Sequence, residues 1–151
     1  MPMAPHGGRF RDLARATNAT TAVEFAICAL VMMLVIVGFV EIGRLAWTFE
    51  VLQEAAFEGA RCMGTRATSC AAAGVYNSAN TKTYVIGVAT ARGVTITAPV
   101  IVLNNAANCG GAANFSQVAI NYSFTSVAPG LLTALAGGYT VATSACFPNS
   151  S

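Results

Sequence analysis

The sequence predicts an α+β protein: a long N-terminal membrane-spanning helix followed by a small antiparallel β-rich domain with disulfides. Three observations predict it. Residues 26–40 form an unbroken uncharged run. Strong helix formers then continue without a proline to about Met63. After residue 70 the apolar period changes to two, the spacing of a strand with one buried face.

The first element is the span. Ala22–Ile42 supplies the roughly 20 mostly apolar residues that a spanning helix needs. Glu24 and Glu41 stand near its two ends, roughly 25 Å apart at the rise of an α-helix. Arg9, Arg11 and Arg15 precede the run and are offset only by Asp12. Basic flanks stay on the cytoplasmic side, so residues 1–19 are expected inside and everything beyond about residue 45 outside. A cleaved secretory signal would end its apolar core in small residues at an A-x-A-like site. Val40-Glu-Ile-Gly-Arg-Leu45 stands there instead, which favours permanent anchoring.

The second element extends the first. Leu45, Phe49, Leu52, Ala56 and Met63 recur at three- and four-residue steps, interrupted at Gly59, and predict one apolar face. Glu41 with Arg44, and Glu58 with Arg61, are i,i+3 pairs that add a few tenths of a kcal/mol each. Trp47 and Phe49 fall where aromatic residues line the outer membrane interface. A helix from Ala22 to Met63 would be roughly 60 Å long, and Gly64 is its expected stop.

Strands are predicted over Val94–Thr97, Pro99–Leu103, Val118–Phe124 and Tyr139–Cys146. Asn104–Asn114 reads as a turn or flexible arm, and Pro129–Leu135 as one short helical turn ended by Gly137-Gly138. Val75–Ala91 fits helix or strand. The resulting organisation is a leader over 1–19, a membrane and extended helix over 20–66, and an extracytoplasmic domain over 67–151.

Of the five cysteines, Cys28 lies in the apolar run, where a thiol behaves as a small hydrophobe. Cys62, Cys70, Cys109 and Cys146 all fall on the outer side. An even count in an oxidising compartment reads as two disulfides. Of three possible pairings, Cys62–Cys70 and Cys109–Cys146 are favoured, because the first two are near neighbours and the last two flank a hairpin. A metal site is the weaker reading: there is no CxxC spacing, and His6, the only histidine, lies on the other side of the membrane.

The composition argues against catalysis. Only 9% of residues are charged, and from Ala67 onward Lys82 and Arg92 are the only charges. No histidine or aspartate and no acid beyond Glu58 occurs in the outer part, so neither a Ser-His-Asp nor a Cys-His arrangement is available there. Glu54 and Glu58 share one helix face and cannot flank a glycosidic bond. No phosphate-binding glycine motif is present, and no basic patch is present for nucleic acid. No catalytic residue, metal or cofactor is expected.

Glu24 is the residue with the sharpest reading. A charge beside hydrocarbon costs free energy and is seldom kept without a use. Its bland reading is a carboxylate snorkelling to headgroups. If the leader is cut just upstream, however, a new α-amino group with a pKa of about 7.7–8.0 appears. Glu24 could pair with it on its own or a neighbouring chain, and that would register helices in a bundle. Gly38, Gly43, Ala26, Ala29 and Cys28 provide small surfaces for helix approach.

Thr-Ala-Val-Glu-Phe25, the apolar run, Glu41-Ile-Gly-Arg44 and Gln53-Glu-Ala-Ala-Phe-Glu-Gly-Ala-Arg61 closely resemble the TadE-like pseudopilins of tight-adherence (Tad/Flp) pilus systems. Val118-x-Ile-x-Tyr-x-Phe124, Pro129–Leu132 and Tyr139–Ala145 are similar to the family's C-terminal region. The resemblance implies a minor pilin that a dedicated aspartyl prepilin peptidase cuts between Ala19 and Thr20, making Glu24 the fifth mature residue and Phe25 the sixth. The family commonly has Gly before the cut, where this chain has Ala19. The resemblance marks Glu24 and Phe25 for assembly, and Glu41, Gly43, Arg44, Glu58, Gly59 and Arg61 as the helix motif. It implies a bacterial inner-membrane protein working with other pilins, the peptidase, an inner-membrane assembly platform and membrane lipid, and serving adhesion and biofilm formation. The rival readings are a single-pass anchored binding or sensor domain and, more remotely, an anchored enzyme.

Overall fold

In the computed structural model, residues 8–126 and 139–150 are described, with side chains from Thr20 onward. The expected helical turn over 129–135 lies outside these residues. By contact density the chain divides into two units, Met1–Ile42 and Gly43–Ser151.

Helix α1 spans Gly8–Gly64, so it begins earlier than the apolar run suggests. Residues 8–19 hold three Arg and three Ala and contain no proline, so nothing stops the helix there. In the second unit α1 buries Val51, Leu52, Ala55, Ala56, Ala60 and Met63, with Leu45 partly covered. Phe49, expected on this face, is instead 44% exposed. The buried stripe is built from a different set of i, i+3 and i+4 steps, with Thr48 one position before Phe49 on the core side.

The helix ends in a Schellman motif. Arg66 takes the left-handed conformation (φ 53°). Its N–H donates to the Met63 carbonyl, and the Ala67 N–H donates to the Cys62 carbonyl. The left-handed residue is therefore Arg66, two positions beyond the expected stop. Gly64 is the last helical residue, and its role is close approach. A Cβ there would stand 2.8 Å from the Phe147 ring and 2.9 Å from the Pro148 carbonyl oxygen. Ser150 donates both its N–H (2.9 Å) and its hydroxyl (3.0 Å) to the Gly64 carbonyl, which covers one of the acceptors a helix end leaves open.

A two-residue turn at Ala73–Gly74 joins strands β1 (Ala71–Ala72) and β2 (Val75–Tyr76). Helix α2 (Ser78–Ala91) resolves the ambiguous stretch. Its start signal is Asn77, whose side chain accepts from the Asn80 N–H. Thr81, Val85 and Ala89 face inward at four-residue steps. Val94 and Ile96 are buried, as their alternation suggests, but 94–97 forms no strand. Alternation reports one-sided burial, and here the segment has no ladder partner.

The main sheet has the order β3-β4-β5, antiparallel throughout, with β3 at Ile101–Cys109, β4 at Ala112–Phe124 and β5 at Tyr139–Pro148. Pro99 sits in the 3₁₀ turn Ala98–Val100 that precedes β3. Ile101, Val118, Ile120 and Val141 face the core with the α1 stripe and Val85. The stretch 104–114, expected as a turn or flexible arm, does turn at Gly110–Gly111, both with positive φ as the tight turn requires, but the residues on either side are the far half of a hairpin rather than an arm. Its register shifts between Asn104 and Ala107 and again between Ala107 and Cys109. Asn and Ala disguise this strand, and neighbouring groups hold it. Asn149 donates from its side-chain amide to the Asn105 carbonyl (2.7 Å) and to Asn114 Oδ1 (3.2 Å), and accepts from the buried Ser116 hydroxyl.

Disulfides join Cys62 to Cys70 and Cys109 to Cys146. The second links the two outer strands across β4. Two strand spacings are about 9.5 Å, whereas these Cα atoms are 6.5 Å apart. The sheet curls at this end, where the register shifts permit it.

Candidate anchoring and assembly helix

Along Thr20–Gly64, α1 is long and apolar enough to cross a membrane. In the first unit its large apolar side chains point outward: Phe25 is 75% exposed and Phe39 71%. A soluble protein does not leave such a continuous run in water, so this surface needs hydrocarbon or other helices around it. Cys28 is a free thiol on this exposed surface.

The sequence-predicted residues lie on this helix in three groups. Ala19 and Thr20 fall inside the helical span, and Thr20, Glu24 and Phe25 are exposed. Glu41 is buried, at 5% exposure, and Gly43 meets no neighbour where a Cβ would stand. The Arg44 guanidinium lies 5.5 Å from the centre of the Phe124 ring, a cation–π contact. Gly59 lies in the domain core: a Cβ would approach Val85 Cγ2 to 2.4 Å and Val118 Cγ2 to 3.4 Å, so glycine lets α2 and β4 close on the helix. Among the described residues Glu58 and Arg61 close no ion pair, while Arg61 gives its carbonyl to the Thr65 N–H and hydroxyl.

The predicted residues therefore separate by role. Glu24 and Phe25, marked for assembly, face outward in the apolar run. Of the helix motif, Gly59 lies in the domain core near the helix end that carries the Cys62 disulfide, and Arg44 lies over Phe124. Sequence reasoning missed the partners that meet the helix from far along the chain. The Trp47 indole N–H donates to the Arg92 carbonyl (3.3 Å), and the Arg92 guanidinium pairs with Glu54. The Thr143 hydroxyl donates to the Leu52 carbonyl (3.4 Å). Arg92 was visible only as an isolated charge in a neutral half. Among the described residues no cluster of three or more His, Cys, Asp or Glu could hold a metal ion.

Among the described residues, these features define a protein with one helix able to span a membrane and an α+β domain tied by two disulfides. Residues 19–61 match the family model described as TadE-like protein, and over that stretch the chain is similar to the TadE-like family of Tad pilus systems. The match rests on the helix and covers less than a third of the chain. No curated protein and no solved structure matches the chain. The family is structural rather than enzymatic, and with the apolar helix it fits a pilus-associated, membrane-anchored protein.

Proposed function

We propose that this protein is a pseudopilin that takes part in assembly of a Tad/Flp-type pilus by helix packing and registration. The observation that carries the reading is Glu24: an exposed carboxylate at the entry of an otherwise apolar, outward-facing helix segment, inside the residues that match the family. Cleavage between Ala19 and Thr20 creates an amine four residues before it. In low dielectric an unpaired charge is costly, so amine and carboxylate draw together and fix the axial position of neighbouring helices. Phe25 and the apolar surface beyond it supply the packing. The partners are other pilins, the prepilin peptidase and the inner-membrane assembly platform. The leader stays in the cytoplasm and the disulfide domain lies in the periplasm.

Glu24→Ala separates this role from anchoring. The variant is expected in the membrane fraction at the normal level, in cells that have lost their pili in electron micrographs. Normal piliation would remove the registration role and leave an anchored binding or sensor domain as the better reading.

A further inference from the structure

One end of the second unit gathers residues that the sequence holds far apart. Trp47 of α1 reaches the last turn of α2 through its bond to the Arg92 carbonyl. Arg44, one turn earlier, lies over Phe124 at the end of β4. Phe124 is the register partner of Tyr139, the first residue of β5. These contacts put the Arg44 guanidinium and three aromatic rings at one end, drawn from α1, β4 and β5 beside the α2 terminus, while the Arg92 guanidinium turns to Glu54 further along α1. At the other end of α1, Gly64 meets Phe147 and Ser150. The lengths agree: Arg44 to Gly64 rises about 30 Å as helix, and Tyr139 to Pro148 extends about 30 Å as strand.

The gathered end is also the one where the apolar run stops, because Arg44 is two residues past Ile42. Trp47 is 59% exposed and Tyr139 52%, although each is a large amphipathic ring. Trp47 has already used its N–H, so its bare apolar body faces outward. Rings of this kind with an adjacent arginine match the headgroup layer of a bilayer, where aromatic bodies meet the acyl boundary and a guanidinium meets phosphate.

We propose that this end of the domain is a docking surface for the phospholipid headgroups of the membrane that α1 crosses. Arg44 meets lipid phosphate, and Trp47 and Tyr139 sit in the interfacial layer. The proposal rests on the membrane-anchored reading above.

The test uses the full chain in nanodiscs of mixed phosphatidylethanolamine and phosphatidylglycerol. A photoreactive benzoylphenylalanine replaces Tyr139 in one sample and Val75, 68% exposed in the β1–β2 hairpin, in another. Irradiation is expected to give a phospholipid adduct at 139, read by mass spectrometry, and none above background at 75. Arg44→Glu in the 139 sample should lower the adduct yield while circular dichroism stays unchanged. Equal yields at the two positions, or crosslinking of 139 to a second copy instead of lipid, overturns the proposal. Failure of every sample to enter the nanodisc is a different result, and sinks the anchoring reading with it.

Discussion

The same helix meets two solvents. Over 20–42 large apolar side chains are exposed, from Val37 at 39% to Phe25 at 75%. Over 43–64 one stripe is buried to within a few per cent, and the opposite face carries Glu50, Gln53, Glu54 and Arg61. Helix propensity is lower in 20–42, which holds ten β-branched residues against two in 43–64, yet it says nothing about which surface is buried. The difference is in what each surface needs around it. The upper stripe is satisfied by its own chain, through α2 and the sheet. The lower surface is left for hydrocarbon or for other helices.

If that contrast is right, equal truncations should have unequal effects on the domain. The largest expected effect is at Leu52, fully buried in the core. Leu52→Ala should destabilise the domain by about 2–5 kcal/mol, read as a lowered denaturation midpoint in detergent. Leu34→Ala, in the exposed run, should leave that midpoint in place. Equal shifts would erase the distinction between the two stretches.

Next is Gly59→Ala, whose added carbon would collide with Val85. Overpacking of this kind costs about 1–3 kcal/mol. Gly43→Ala, with open space at the same atom, should cost far less and supplies the contrast within one helix. Asn149→Ala removes the side chain that holds the carbonyl of Asn105, the side chain of Asn114 and the Ser116 hydroxyl. The buried Ser116 hydroxyl then loses its partner, at roughly 1–3 kcal/mol, and amide exchange should quicken at the Gly110–Gly111 end before elsewhere. The smallest change is Glu54→Gln. Its pair with Arg92 is exposed and screened, so less than about 1 kcal/mol is expected, and less still in high salt.

How much of this was legible follows from what each signal measures. Hydropathy reports solvent, so the apolar run and its end near Ile42 were plain. Period reports one-sided burial, which identified the cores of β4 and β5, but it misread 94–97, where the burial came without a ladder. Hydrophobicity puts Phe49 inside, but helical phase gives the core side to Thr48. The stretch 104–114 was hidden because its strand is held by cross-chain groups, namely a tight turn, Asn149 and Cys109–Cys146, rather than by its own Asn and Ala residues. The resemblance picks out Glu24 for assembly, and Gly59 and Arg44 together as one helix motif. Only tertiary packing divides them into an outward carboxylate, a close-approach glycine and a cation over Phe124, because a family pattern records position without partner.

The most direct measurement is the N-terminal sequence of the protein extracted from native membranes. The account predicts that it begins at Thr20, leaving Glu24 four residues from a new amine. A chain that still begins at Met1, in cells that bear pili, would contradict it.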